Sequence, residues 1–125
     1  MEPSNTQEEK LGRVEKNHIS FEDFKKVEIK IGKILSAEKV PETDKLLKLS
    51  VEMGEGEPRT IVSGISQHFE DLEKLVGTTC AFATNIEPRK IRGIESNGMI
   101  LAVSDEEGNF SLLKSEGVKA GVAVK

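Results

Sequence analysis

The residues with most to offer chemically are basic and close together. Over 85–92, Arg89, Lys90 and Arg92 stand against the single acid Glu87. Arginine can hold a phosphate through two parallel N–H donors, and lysine acts on it as a point charge. Pro88 restricts the backbone just ahead of these cations, which lowers the entropy lost on docking. Gly93 and Gly98 permit a tight path and close backbone approach, while Ser96 and Asn97 add neutral hydrogen-bonding groups. Met99 opens a strand, where it suits either core packing or a surface contact. The plain alternative is a solvated loop in a chain that is 32% charged, and composition by itself favours that alternative.

Other chemistries lack parts. His18 and His68 are the two histidines, and neither has the neighbours of a metal site. Cys80 lies in an alternating stretch and is expected to be a small buried hydrophobe rather than a nucleophile. As the single cysteine it forbids an internal disulfide and fits a reducing compartment. Gly54-Glu55-Gly56 is followed by acid and proline, not by Lys-Ser or a helix, so it is no phosphate loop. Carboxylates are so numerous that pairs are unavoidable. No catalytic residue, metal or cofactor is expected.

At 125 residues the chain has the length of one domain, and 36% hydrophobic content suffices for one small barrel core. No apolar run approaches the ~18 residues of a membrane span. The polar start, Met-Glu-Pro-Ser-Asn, predicts no leader peptide, and with the lone cysteine it predicts a cytoplasmic protein. The net charge of −4 argues against a nucleic-acid partner, but phosphate binding depends on local field. Acids concentrate elsewhere, at Glu8-Glu9, Glu22-Asp23, Glu52 to Glu57, Glu70 to Glu73 and Asp105 to Glu107.

The elements that would position the basic stretch follow from periodicity. Residues 1–18 are polar and aperiodic, predicting a disordered tail, with the folded domain over 19–125. Ser20-Phe21-Glu22-Asp23 has capping-box form and opens a short helix. Val27, Ile29 and Ile31 alternate with Glu28 and Lys30 as a strand, which Gly32 bends before it resumes to Val40, with Lys33 and Lys39 on one parity. Leu47, Leu49, Val51 and Met53 alternate as a second strand, and Thr60 to Ser63 returns as a third. Ile65, Phe69, Leu72 and Val76 fall at helical spacing, predicting a twelve-residue helix over 65–76. Further strands are expected at Cys80 to Thr84, Met99 to Val103 and Phe110 to Lys114, and a last short apolar run, Val122 to Val124, ends the chain. Three strands, a helix and two or more strands is the order of an all-β OB-fold Greek-key barrel. An SH3-like barrel shares the short strands but needs no helix between the third and fourth.

Aromatic content shapes the expected mode of recognition. Five Phe and no Trp or Tyr are present, and Phe21, Phe24, Phe69 and Phe82 lie on apolar faces, predicting core positions. Single-strand binders stack bases on exposed aromatics. With none to spare, RNA binding here would read phosphates and shape.

Asn85-x-x-Pro88-Arg89-Lys90-x-x-Gly93-x-x-Ser96-x-Gly98-Met99 resembles the signature of the tRNA-binding domain family. That domain occurs as free-standing proteins, at the C-terminus of many methionyl-tRNA synthetases and in the endothelial monocyte-activating polypeptide precursor. Supporting stretches match it as well: Phe24-x-x-Val27-x-Ile29-x-x-Gly32-Lys33-Ile34, Asp44 to Leu49, and Ile61-Val62-Ser63-Gly64-Ile65. The resemblance covers roughly 19–125 and implies an OB-fold that binds tRNA by shape, without sequence specificity and without catalysis. It carries tRNA binding onto Asn85, Arg89, Lys90, Ser96 and Met99, and onto Lys33, Lys45 and Lys48 in the first two strands. Arg92 is an added charge where the family often has an apolar residue, and it joins the expected binding set. Phe69 stands where Tyr is common, and Val118 to Gly121 lacks the usual proline.

Free-standing members resemble one another in forming homodimers, and some are called the beta subunit of methionyl-tRNA synthetase. The implied partners are therefore tRNA, a second copy, and a methionyl-tRNA synthetase catalytic chain. One branch of the family is described as a peptide-binding export chaperone; the intact Asp44 to Leu49 and Pro88-Arg89-Lys90 stretches argue against that branch. A domain excised from a synthetase is the third reading, and the start at Met1 favours a free-standing protein.

Overall fold

The computed structural model describes residues 17–125, so most of the expected tail, 1–16, lies outside the described residues. The first element is a single turn, α1 (Phe21–Phe24), whose N-cap Ser20 Oγ accepts the Asp23 amide at 3.0 Å as its capping-box residues imply. Phe21 and Phe24 are not core: they stay 70% and 54% exposed. A four-residue turn ahead of the barrel has no further turn with which to bury an apolar stripe, and the interior is already filled from the strands.

Strand β1 (Ile29–Lys39) is long enough to serve two neighbours. Its first half pairs antiparallel with β4 (Thr79–Ala83), and its second half pairs with β2 (Leu47–Glu52). Gly32 sits at the crossing, where a Cβ would lie 2.7 Å from Val51 Cγ1 and 2.9 Å from Met53 Sδ. The register slips between Ile34 and Ser36, a bulge one turn of the pleat beyond the glycine. That slip overturns the shared parity expected of Lys33 and Lys39. Lys33 now lies opposite Glu52 on the outer face, whereas Lys39 lies opposite the buried Leu47.

Strand β3 (Arg59–Ser63) pairs with β2, giving a five-stranded order β3-β2-β1-β4-β7 with β7 at Met99–Ile100. The two edges of this sheet meet. Asn97 N donates to Thr60 O at 2.8 Å and Val62 N donates to Ser96 Oγ at 2.9 Å. The result is the expected all-β, OB-like barrel. Leu47, Leu49 and Val51 from β2, Ile34 from β1, Ile61 from β3 and Cys80 and Phe82 from β4 fill it.

Residues 65–76 do not form the expected twelve-residue helix. They make two 3₁₀ turns, Ser66–His68 and Leu72–Leu75, with Phe69 and Asp71 extended between them. Asp71 caps the second turn by accepting the Glu73 amide at 3.0 Å. The break lets Phe69 meet the edge of Phe110, with ring centroids 5.6 Å apart and an interplanar angle of 87°. Ile65 and Leu75 still reach the core, while Val76 is left 47% exposed. The apolar spacing reflects where the core needs side chains rather than a continuous helix.

The strand expected at Met99 to Val103 is split at Leu101 into β7 and β8 (Ala102–Ser104). Strand β8 pairs with β9 (Phe110–Leu112), and the hairpin stays against β4, where Ala81 N donates to Leu113 O at 3.0 Å and Leu112 joins the core. The C-terminal apolar run adds beside β1: Ile31 N donates to Val122 O at 2.9 Å and Val124 N to Ile29 O at 2.8 Å. Gly121 makes this possible, since its φ is +97° and a Cβ there would lie 2.7 Å from Met53 O.

Candidate nucleic-acid interface

The basic stretch is a β-hairpin, not an irregular loop. Strands β5 (Arg89–Ile91) and β6 (Ile94–Ser96) pair Arg89 with Ser96, Lys90 with Glu95 and Ile91 with Ile94. The two residues between them, Arg92 and Gly93, have φ of +54° and +81°. Two left-handed central residues define a type I′ turn, the turn whose twist suits a two-residue hairpin. Glycine fills its place without strain; Arg92 does not.

Pairing sorts the hairpin's side chains by face. Ser96 is buried and Ile91 and Ile94 are half-buried, so the face they share with Arg89 lies toward the barrel. Lys90 points the other way with Glu95 directly opposite, which places a carboxylate on the same face as this cation. Arg92 projects from the tip. All three cations are exposed, but they splay around the hairpin instead of forming one flat patch. Glu95 was absent from the sequence-based reckoning because only cross-strand register brings it to Lys90.

Ser96 and Asn85 serve as footings rather than free hydrogen-bonding groups. Ser96 Oγ accepts the Val62 amide and lies 3.4 Å from Gly98 O, its own side chain buried. Asn85 Oδ1 accepts the Glu28 amide at 2.8 Å, and its Nδ2 donates to Lys26 O at 2.6 Å. Thr84, beside it, donates from Oγ1 to Glu28 Oε1 at 2.6 Å. The strand leaving β4 is thus tied to the start of β1 before it turns into the hairpin.

The lysines of the first two strands are spread apart. Lys48 faces out beside Val62, whose amide bonds to Ser96, so it lies in the row leading to the hairpin. Lys33 is opposite Glu52, four residues along β2 from Lys48, or ~13 Å at strand rise. Lys45 lies exposed in the turn before β2, where its carbonyl accepts the Ser66 amide at 2.9 Å.

Met99 belongs to a different surface. Phe82 and Ile100 point inward, so alternation turns their neighbours Ala83 and Met99 outward. Backbone pairing continues the row through Ile29 to Val124. Met99 and Val124, 47% and 49% exposed, thus bracket an uncharged band across four strands, with exposed Val27 and Ile86 at its margin.

Arg59 is the residue that sequence reasoning missed. Its side chain is only 14% exposed, and Nη1 donates to Thr84 O at 2.7 Å and lies 3.4 Å from Asn97 O. Nε and Nη2 form a bidentate pair with Glu55 Oε1 and Oε2 at 3.0 and 2.8 Å. The hydrogen bond from Arg59 holds the Glu55 carboxyl below its usual range, and the reciprocal bond raises Arg59. A Gly-Glu-Gly-Glu-Pro turn followed by Arg carried no signal that those side chains reach the hairpin.

Among the described residues, no group of His, Cys, Asp and Glu is disposed to hold a metal ion, and no helix is long and apolar enough to cross a membrane.

Known proteins share both sequence and fold with this chain. The tRNA binding domain family model matches residues 29–123. A methionine–tRNA ligase of Methanospirillum hungatei is 59% identical over 98 residues, 78% of this chain and 14% of the ligase. One from Christiangramia forsetii is 38% identical over 97% of this chain and 18% of its own length. The chain therefore spans less than a fifth of the ligases it matches. Among solved structures, a MetRS-related protein from Pyrococcus horikoshii superposes with a TM-score of 0.81 at 36% identity, covering 88% of this chain and all of that one. The chaperone CsaA of Bacillus anthracis gives 0.75 at 24% identity over 87% of this chain and all of its own, a likeness of fold alone.

Proposed function

Because this chain belongs to the tRNA-binding domain family, we propose that it is a non-catalytic module that binds tRNA by shape and phosphate position. The observation that carries this reading is the β5–β6 hairpin, a projection footed on the barrel and bearing Arg89, Lys90 and Arg92. No aromatic residue occurs over 85–99, so the hairpin offers charge and hydrogen bonds rather than stacking platforms. Such groups register on a folded backbone and carry no base sequence. The reading includes action in trans beside an aminoacyl-tRNA synthetase, methionyl by the identity of the relatives, in the cytoplasm.

Self-association fits the same surface logic. The uncharged band from Val124 to Met99, flanked by exposed Val27 and Ile86, is apolar surface of the kind that marks an interaction site. A second copy is the occupant we assign to it, which moves Met99 from the RNA-binding set to the pairing surface. Peptide binding, suggested by the chaperone that shares the fold, would use that band instead of the hairpin.

Competition at one fixed salt concentration, followed by titrations over a salt series, separates these readings. Folded tRNA should displace labelled tRNA far better than poly-U, and alanine at Arg89, Lys90 and Arg92 together should flatten the log K against log salt slope by about two to three units. Equal competition by poly-U would refute shape reading. An unchanged slope in a folded triple variant would refute the hairpin as the interface.

A further inference from the structure

The hairpin has two feet, and one guanidinium touches both. Thr84 is the first residue after β4 on the way to β5, and Asn97 is the first after β6. Arg59 Nη1 reaches the carbonyl of each, at 2.7 and 3.4 Å. Arg59 stands at the start of β3, opposite the buried Val51, so its side chain enters the end of the barrel rather than lying over its surface. Glu55 fixes the plane of the guanidinium from behind through two N–H···O bonds, the fork geometry that lysine cannot reproduce. With these partners made and the group mostly buried, Arg59 has little left to offer a phosphate.

We propose that Arg59, oriented by Glu55, is a positioning residue that sets the angle of the basic hairpin on the barrel and thereby its fit to tRNA. This deepens the RNA-binding reading above and rests on it. The physical need is plain: β5 and β6 are three residues each and pair only with each other in register. Their orientation is set at the base, where Ser96 and Asn97 bond to Val62 and Thr60 of β3 and Thr84 and Asn85 bond to Glu28 and Lys26 just ahead of β1. Arg59 joins those two sides. Without it the hairpin keeps its own pairing but can rock between them, so binding must first hold the arm in place, which weakens affinity while the phosphate contacts themselves are kept.

Arg59→Lys keeps the charge and removes the fork; Glu55→Gln keeps one acceptor and removes the charge. At a temperature where both variants remain folded by circular dichroism, Arg59→Lys should weaken tRNA binding on the order of tenfold, and Glu55→Gln by less. The salt slope should stay that of the unaltered chain, because no phosphate contact is removed. Amide exchange without RNA should quicken at Val62 and Asn97 while the β1–β2 ladder keeps its protection. Three results would overturn the proposal: unchanged affinity in Arg59→Lys, a flattened salt slope in the uncharged Arg59→Met, or uniform loss of protection across the barrel. The second would make Arg59 a phosphate contact, and the third a global structural residue. Failure of the unaltered chain to bind tRNA would instead overturn the RNA reading itself, and the exchange pattern would then still report the latch.

Discussion

Arg92 sets stability and binding in opposition, and Arg92→Asn measures both. In the type I′ turn its φ of +54° places an ordinary L residue in the left-handed region, at a cost of roughly 1 kcal/mol. Asparagine tolerates that conformation, so the substitution should recover about 0.5–1 kcal/mol, or roughly 2–4 °C in melting temperature for a domain of this size. It also removes an exposed cation at the tip of the arm. If Arg92 meets one phosphate, the salt slope should flatten by about 0.7–0.9 and tRNA affinity should fall. Arg92→Gln separates the two effects, since it discharges the tip but keeps the backbone strain; it should lose affinity without gaining stability. Arg92→Lys keeps charge and strain alike and should change neither. Thermal unfolding and fluorescence anisotropy titrations over a salt series supply both readouts. A stabilised Asn variant with an unaltered slope would refute the contact, and an Asn variant no more stable than the Gln one would refute the strain argument.

Further outcomes follow from three other parts of the molecule. Gly121→Ala, whose Cβ would meet Met53 O at 2.7 Å with φ at +97°, should cost more than about 2 kcal/mol in denaturant unfolding, whereas Gly117→Ala, strained at +80° but in open space, should cost only about 1. Burial pushes the Cys80 thiol to about 11, so maleimide should leave it unlabelled at pH 8 until the chain unfolds. Because that thiol ionises more readily unfolded, its contribution to stability should be present below its ordinary value of 9.0 and decline as pH rises from there toward 11. Light scattering at micromolar concentration should give about twice 13.7 kDa, and Val124→Glu should halve it while leaving the hairpin's salt slope in place. A monomer in the unaltered chain would remove the apolar band from the pairing role.

Strand positions were legible in the sequence because a pleated strand alternates, and β2 declares it in Leu47, Leu49, Val51 and Met53 against Lys48, Ser50 and Glu52. The basic residues at 89, 90 and 92 were legible too, since charge type survives any fold. What lay beyond reach were relations between distant segments. The bulge after Ile34 reverses which lysines of β1 share a face, and no local pattern encodes that slip. Helical spacing over 65–76 arose because an irregular segment must also place apolar groups every few residues over a core. Phe21 and Phe24 read as core by type, yet exposure depends on whether another element arrives to cover them. Glu95 faces Lys90, Ser96 becomes a footing and Met99 joins Val124 only once strands pair. Residue types and local periodicity thus determined that this is an all-β barrel carrying a basic arm. The arm's direction was decided by tertiary structure, because a buried guanidinium from β3 joins carbonyls 25 and 38 residues away, and sequence separation says nothing about that distance.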